Sequence, residues 1–309
     1  MSVSAGAHDV LQPAVRPLDP VLARGAAIVA VIHHSHGIKA ALAIGHLRAR
    51  FPHWSDAWWR DALARTGWNQ EPTVDRPVDV TPFQVSPERA HVTLARVVLP
   101  RSYAAVRSWA AAHDVDAIVR FYLDEASADP GDLGHRLSIL LALNEAWPAY
   151  KDGPCRDLFL DRLTEFLLAC RFQGDASVPG SRRASAWAEA SAAALARPGF
   201  YGHHVICLAW IGRCRKALSD RQWQASLGWL VEASGTVDPD DEDNLSISDA
   251  VDAPLQEEDL DAALRDLLLR GVPNIHQLTL ADAIAWVWDT HEDAKPFLVN
   301  LARHHVERA

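Results

Sequence analysis

Apolar residues recur at helical spacing through almost the whole chain and nowhere alternate for long enough to make a convincing strand. Asp19-Pro20 reads as a helix start, with Asp as N-cap and Pro in the first turn. An Ala-rich apolar stretch then predicts one long buried helix to about Arg50, stopped by Phe51-Pro52. Ser55 caps a second helix, DAWWRDALARTG, which Gly67 closes. Residues 68–87 lose the period and hold four prolines, which predicts a long loop or an extended lid. Helices follow at about 88–98, 102–112 and 115–125, and a turn at 129–134 leads into the helix that His135 opens. Beyond a turn at 151–154 the pattern predicts helices over 156–172, 184–197, 199–218 and 221–232, with a loop at 174–183. Helices at 260–270, 277–290 and 293–306 complete a count of about a dozen. The expectation is an all-α fold: one large multi-helix domain over 19–309, an N-terminal tail at 1–18, and an acidic insertion loop at 236–258. No fixed period of tens of residues marks a solenoid.

Composition narrows the partners. The chain has 309 residues, enough to bury a substantial core, and its net charge of -10 comes without any basic stripe. Both facts argue against nucleic acid and against anionic membranes, which reward clustered Lys and Arg. No apolar run approaches the roughly 20 residues a spanning helix needs. The first residues lack the basic region of a signal peptide, and the four cysteines make no C-x-x-C pair, so the expectation is a cytoplasmic protein with reduced, packed thiols. Twelve tryptophans serve either as wedges between helices or as walls of an aromatic pocket.

The candidate chemistry lies in the fifteen histidines. His8, His53, His91, His113, His291, His304 and His305 sit in tails, near helix ends or among polar residues, and His46 lies on a polar helix edge before Arg48 and Arg50. Four apolar runs, in contrast, carry histidine at or near their start. These are His33, His34 and His36 in VIHHSHGIKAALAIGHL, His135 in GDLGHRLSILLALNEAW, His203 and His204 in GFYGHHVICLAWIGRCRKAL, and His276 in NIHQLTLADAIAWVW. A histidine buried in a helix needs a partner for each ring nitrogen or a metal. His33 and His36 share one helix face. Imidazole suits iron, zinc, copper and nickel, and no H-E-x-x-H motif narrows the choice.

These four stretches resemble the questin oxidase-like proteins, fungal enzymes that oxidatively open anthraquinone-type rings together with bacterial relatives. The resemblance is by motif and covers roughly residues 20–306. A first family motif, a histidine and an apolar helix ending in Leu-Gly, corresponds to His33 leading to Ile44-Gly45. A second reads here as HRLSILLALNE, with His135, Leu137, Leu143 and Glu145 in register and Ala142 in place of a tyrosine. In the third, FYGHHVIC, Val205 is in register and Phe200 lies one residue closer to His203. The fourth is HQLTL, where His276 matches and Thr279 replaces the family's lysine.

What the resemblance implies is a non-haem iron oxidoreductase. Fe(II) would be held by His33, His135, His203 and His276, and O₂ would oxidise or cleave an aromatic or polyketide-like small molecule. His36 and His204, with His34, would be acid–base candidates. Glu145 or Asp282 would supply the carboxylate that Thr279 does not, and Trp210, Trp286 and Phe200 would wall an aromatic pocket. Whether a reductant such as NADPH is needed stays open. Two rivals stand beside this reading: a metal-free helical binding or scaffold protein that has lost the family's lysine, and a zinc hydrolase.

Overall fold

The computed structural model describes residues 18–29, 36–173, 185–236, 255–307 and 309. Among these, thirteen α-helices follow one another: α1 (Pro20–Ala27), α2 (His36–Arg50), α3 (Asp56–Arg65), α4 (Pro87–Ala95), α5 (Arg101–Ala128), α6 (His135–Tyr150), α7 (Arg156–Cys170), α8 (Trp187–Ala196), α9 (His203–Arg213), α10 (Asp220–Gly235), α11 (Glu257–Arg270), α12 (His276–Thr290) and α13 (Lys295–Glu307). The described residues hold no strand, only an isolated antiparallel bridge between Ile28 and Thr73. The all-α expectation holds. No helix is long and apolar enough to cross a membrane among the described residues.

The caps read from the sequence are in place. Asp19 accepts from the Val21 N–H at 2.7 Å, and Ser55 accepts from the Trp58 N–H at 3.2 Å. The long helix expected over 19–50 is instead two. Ile28 leaves helical geometry, and the chain hydrogen-bonds the loop alongside, with Val29 N–H to Pro72 O at 3.0 Å and Val74 N–H to Ala27 O at 2.9 Å. The two halves can double back because both carry glycine at their contact. A Cβ on Gly37 would stand 2.6 Å from the Gly25 carbonyl oxygen, and one on Gly25 would stand 2.6 Å from Ala41 Cβ. The two helices expected at 102–112 and 115–125 form one run, α5, kinked at Asp114, whose carboxylate accepts from the Val115 N–H and from Trp147 Nε1. Helix α11 begins at Glu257, inside the expected acidic insertion, because Gln256 and Asp259 form a reciprocal cap. The tail at 1–17, the loop at 174–184, most of the insertion (237–254), and His33 and His34 lie outside the described residues.

Four helices organise the centre. α2 packs on α6, α6 on α9, α9 on α12, and α12 back on α2, closing a ring. Their facing side chains are fully buried: Ile44, Leu47, Leu140, Leu143, Ile206, Leu208, Leu280 and Ile284. Each such side chain contributes about 2 kcal/mol of burial, so the ring is held mainly by its apolar interior. All four helices run the same way. Their first residues are His36, His135, His203 and His276, and these four meet at one end. The remaining helices are the return connections and the outer layer.

Candidate metal centre

Two of the four histidines are delivered by the same backbone device. Pro130-Gly131-Asp132-Leu133-Gly134-His135 and Pro198-Gly199-Phe200-Tyr201-Gly202-His203 share the pattern P-G-x-x-G-H. In each, both glycines and the residue before the second glycine have positive φ: Gly131, Leu133 and Gly134 at 71°, 54° and 74°, and Gly199, Tyr201 and Gly202 at 68°, 48° and 72°. Each closes with the same pair of hydrogen bonds. Gly134 N–H donates to Gly131 O at 3.1 Å and Arg136 N–H to Pro130 O at 2.9 Å, while Gly202 N–H donates to Gly199 O at 2.8 Å and His204 N–H to Pro198 O at 2.9 Å. The turn starts the helix abruptly and puts histidine at its first position. The repeat is itself a sequence signal for these two histidines, separate from the apolar runs that follow them.

His276 reaches the same place by another route. Asn274 Oδ1 accepts from the His276 backbone N–H at 2.9 Å and from its ring Nδ1–H at 2.7 Å. His36 opens α2. Around the ring of helices, successive imidazole centroids are 4.9 Å (His36–His135), 4.7 Å (His135–His203), 5.0 Å (His203–His276) and 4.5 Å (His276–His36) apart. Nitrogens of His36, His135 and His276 all lie within 4.8 Å of one another, and His203 Nε2 is 3.1 Å from His135 Nε2.

The tautomers suit a metal. His203 Nδ1–H donates to the Phe200 carbonyl, and His276 Nδ1–H donates to Asn274 Oδ1, so each turns an Nε2 lone pair inward. Burial pushes His203 well below the ordinary histidine pKa, and charge on His276, Lys39 and His204 would push it further, while the Phe200 carbonyl opposes this. His203 is thus neutral, as a ligand must be. Imidazole nitrogens bind a divalent transition ion at about 2.0–2.1 Å, so two donors on one ion stand at most about 4.2 Å apart. The donor type suits such an ion, but the His36, His135 and His276 nitrogens, within 4.8 Å of one another, would have to close by about an ångström to reach the roughly 3.4 Å between donors on one tetrahedral ion.

One turn deeper on the same helices lies a second layer: Lys39, Ser138, Cys207 and Thr279, all buried. Lys39 Nζ donates to Ser138 Oγ at 2.9 Å. Burial pulls the Lys39 amine down to about 8 and pushes the Cys207 thiol up to about 11. Thr279 returns its hydroxyl to the His276 carbonyl at 3.0 Å.

The remaining residues singled out in the sequence lie elsewhere. His204 faces α8 and α10, where its Nδ1 donates to Arg197 O at 2.7 Å and lies 3.3 Å from Ser234 Oγ. Glu145 is ten residues along α6 from His135, about 15 Å of helix, and Asp282 is six residues along α12 from His276, about 9 Å. Neither stands in for a missing carboxylate at the histidines. Both instead bind His46, the residue read as a polar helix edge: Nε2 is 3.0 Å from Glu145 Oε1 and Nδ1 is 3.2 Å from Asp282 Oδ1. Arg213 clamps Asp282 with two bonds of 2.9 Å. A salt-bridge layer, one residue from each of the four helices, therefore closes the far end of the ring. Trp210 and Trp286 belong to that end, with Trp210 under the Arg213 guanidinium. Phe200, by contrast, lies parallel to His203 with centroids 6.3 Å apart, and Tyr201 stacks on His276 at 5.9 Å.

A cavity of about 390 Å³ opens beside the histidines, with His36, His276, Asn274, Gln70, Glu71 and Ile28 in its wall. Two of the four histidines, both half-buried, line this cavity. No family model, no curated protein and no solved structure matches this chain.

Proposed function

We propose that the chain is a metal-dependent oxidoreductase whose centre is held by His36, His135, His203 and His276. The observation that carries the reading is the convergence of four histidines, each the first residue of its helix, with two of them hydrogen-bonded so that an Nε2 lone pair turns inward. His203 and His135 face each other through a 3.1 Å Nε2–Nε2 hydrogen bond, a pairing that an ion bound between the imidazoles would replace. The resemblance to the questin oxidase-like proteins supports Fe(II) as that ion and an electron-rich aromatic or polyketide-like molecule as substrate.

Bound there, iron would supply the oxygen chemistry that no side chain can. The chain's own residues do the rest. His203 and His276 are held in place by Phe200 O and Asn274 Oδ1. The 390 Å³ cavity admits a small molecule beside His36 and His276, and Tyr201 backs His276 with an aromatic face. His36 is placed as a ligand in this reading, not as an acid–base residue. A metal-free binding protein is the second reading, favoured by Thr279, whose hydroxyl is committed to the His276 carbonyl where the family carries lysine.

Elemental analysis of untagged protein expressed with iron supplied separates them. One iron per chain, lost in a His203→Ala/His276→Ala variant that still melts cooperatively, supports the oxidoreductase reading. Metal-free protein under the same conditions overturns it.

A further inference from the structure

One turn below the histidines, a lysine, a serine and a cysteine from three of the four central helices meet in the interior. Lys39 of α2, Ser138 of α6 and Cys207 of α9 are 2 %, 1 % and 1 % exposed. Ser138 joins the other two: its Oγ accepts from Lys39 Nζ at 2.9 Å, and its hydroxyl donates to the Cys207 sulfur. Cys207 Sγ also lies 3.5 Å from Leu133 O and 3.6 Å from Gly134 O, which holds it against the start of α6. An amine and a thiol from helices on opposite sides of the ring are thus both within reach of one oxygen atom. Burial disfavours the Lys39 ammonium and pulls it down to about 8, so a share of the amine is neutral and nucleophilic at neutral pH. Burial pushes the Cys207 thiol up, while the Lys39 charge and the Ser138 hydrogen bond oppose the rise. A proton leaving the thiol therefore has a receiver in the amine, by way of Ser138.

We propose that Lys39 and Cys207 form a covalent modification site, at which dioxygen joins Lys39 Nζ to Cys207 Sγ through a single oxygen atom and so cross-links α2 to α9. One Nζ–H bond and the Sγ–H bond break, and an N–O and an O–S bond form. Nitrogen and sulfur each give up two electrons, and these four electrons reduce dioxygen. One oxygen atom stays as the bridge, and the other leaves as water with the two hydrogens. The linked nitrogen is far less basic than an amine, so the reaction replaces a buried charge with a neutral group. Excess dithiothreitol reverses it, returning amine and thiol and releasing the bridging oxygen as water. The site is separate from the metal reading: none of its three residues is among the four histidines, and dioxygen is its only reagent.

Mass spectrometry of the full chain tests this. Protein purified under argon with dithiothreitol is freed of reductant and divided, one half kept anaerobic and the other held in aerated buffer. The aerated wild type should gain one oxygen and lose two hydrogens relative to the anaerobic half. After denaturation three of its four cysteines should alkylate, and dithiothreitol should restore the fourth. Tandem spectra of the digest should place the link between Lys39 and Cys207, and Lys39→Met and Cys207→Ala should each abolish it. An aerated wild type of unchanged mass with four reactive thiols overturns the proposal. So does a Cys207 that gains oxygen without losing two hydrogens, which is ordinary oxidation of the sulfur alone. A mass change that tandem spectra place elsewhere, or that persists in Lys39→Met, overturns it as well. The wild-type measurement decides by itself, so the test stands if either variant fails to fold.

Discussion

Asn274 Oδ1 accepts two hydrogen bonds from His276, one from the backbone N–H at 2.9 Å and one from ring Nδ1 at 2.7 Å. A single carboxamide oxygen therefore caps α12 and fixes the tautomer of the histidine that opens it. Replacing Asn274 by Ala should remove both effects: about 1 kcal/mol of stability from the lost cap, and a 10–100-fold drop in metal affinity from the released ring. Asn274→Asp keeps an acceptor in place and should bind metal at least as well as wild type. Competition for Co(II) against a chelator measures the affinities, and equal values for Asn274→Ala and wild type would refute the positioning role.

Gly134 and Gly202 immediately precede His135 and His203, with φ of 74° and 72°. A Cβ at Gly134 would stand 2.7 Å from Trp229 Cη2 and would run into Cys207 Sγ, and one at Gly202 would stand 2.5 Å from Leu280 Cδ1. Left-handed geometry alone costs a side chain about 1–2 kcal/mol, and displaced neighbours add to it. Gly134→Ala and Gly202→Ala should each lose at least about 2 kcal/mol in urea unfolding. Gly45 in α2 is exposed, with nothing within 4 Å of an added Cβ, so Gly45→Ala should gain about 0.5–1 kcal/mol. A loss at Gly45 matching those at the turns would mean that the sign follows something other than backbone geometry.

The helices were legible because amphipathic runs and caps such as Asp19 and Ser55 are local signals. The break after Ile28 was not, because apolar character continues through it and its cause is a close approach of Gly25 and Gly37 across two helices. At the candidate site, His135, His203 and His276 stand out in the sequence as helix-opening histidines. His36 was harder to place: the sequence spacing pairs it with His33, which lies outside the described residues. His46 looked like a solvated edge because its partners Glu145 and Asp282 are 99 and 236 residues away. Long-range pairing of this kind leaves no local trace, whereas the repeated P-G-x-x-G-H turn does, in two copies whose histidines are 68 residues apart.

At the far end of the ring, Arg213 holds buried Asp282 through two hydrogen bonds of 2.9 Å. Removing the guanidinium leaves a buried carboxylate with His46 as its remaining ion-pair partner among the described residues. Arg213→Met should therefore cost about 3 kcal/mol, and Arg213→Met with Asp282→Asn should cost less than Arg213→Met alone, because no unpaired charge remains. Denaturant midpoints of the three proteins test this. A double variant less stable than the single one would show that packing around Arg213, including its stack on Trp210, outweighs its charge.

His46 sets the last expectation. Burial disfavours its charged form, but the hydrogen bonds its ring donates to Asp282 and Glu145 outweigh that, and the imidazole is raised to about 9. A raised folded pKa means that the folded state holds a proton the unfolded chain releases above about 6.5. The stabilisation is complete below that value and is lost as pH rises through about 9. Lys39, lowered to about 8, drives stability the other way over part of the same range, so the wild-type profile alone is ambiguous. Comparison with His46→Gln removes the ambiguity, because Lys39 is common to both proteins. The stability difference between them should be largest at pH 6 and shrink steadily towards pH 9.5, read from urea midpoints at each pH. A difference that stays constant across this range would mean that His46 holds Glu145 and Asp282 as a neutral hydrogen-bonding residue and that the charge at this end of the ring is carried by Arg213 alone.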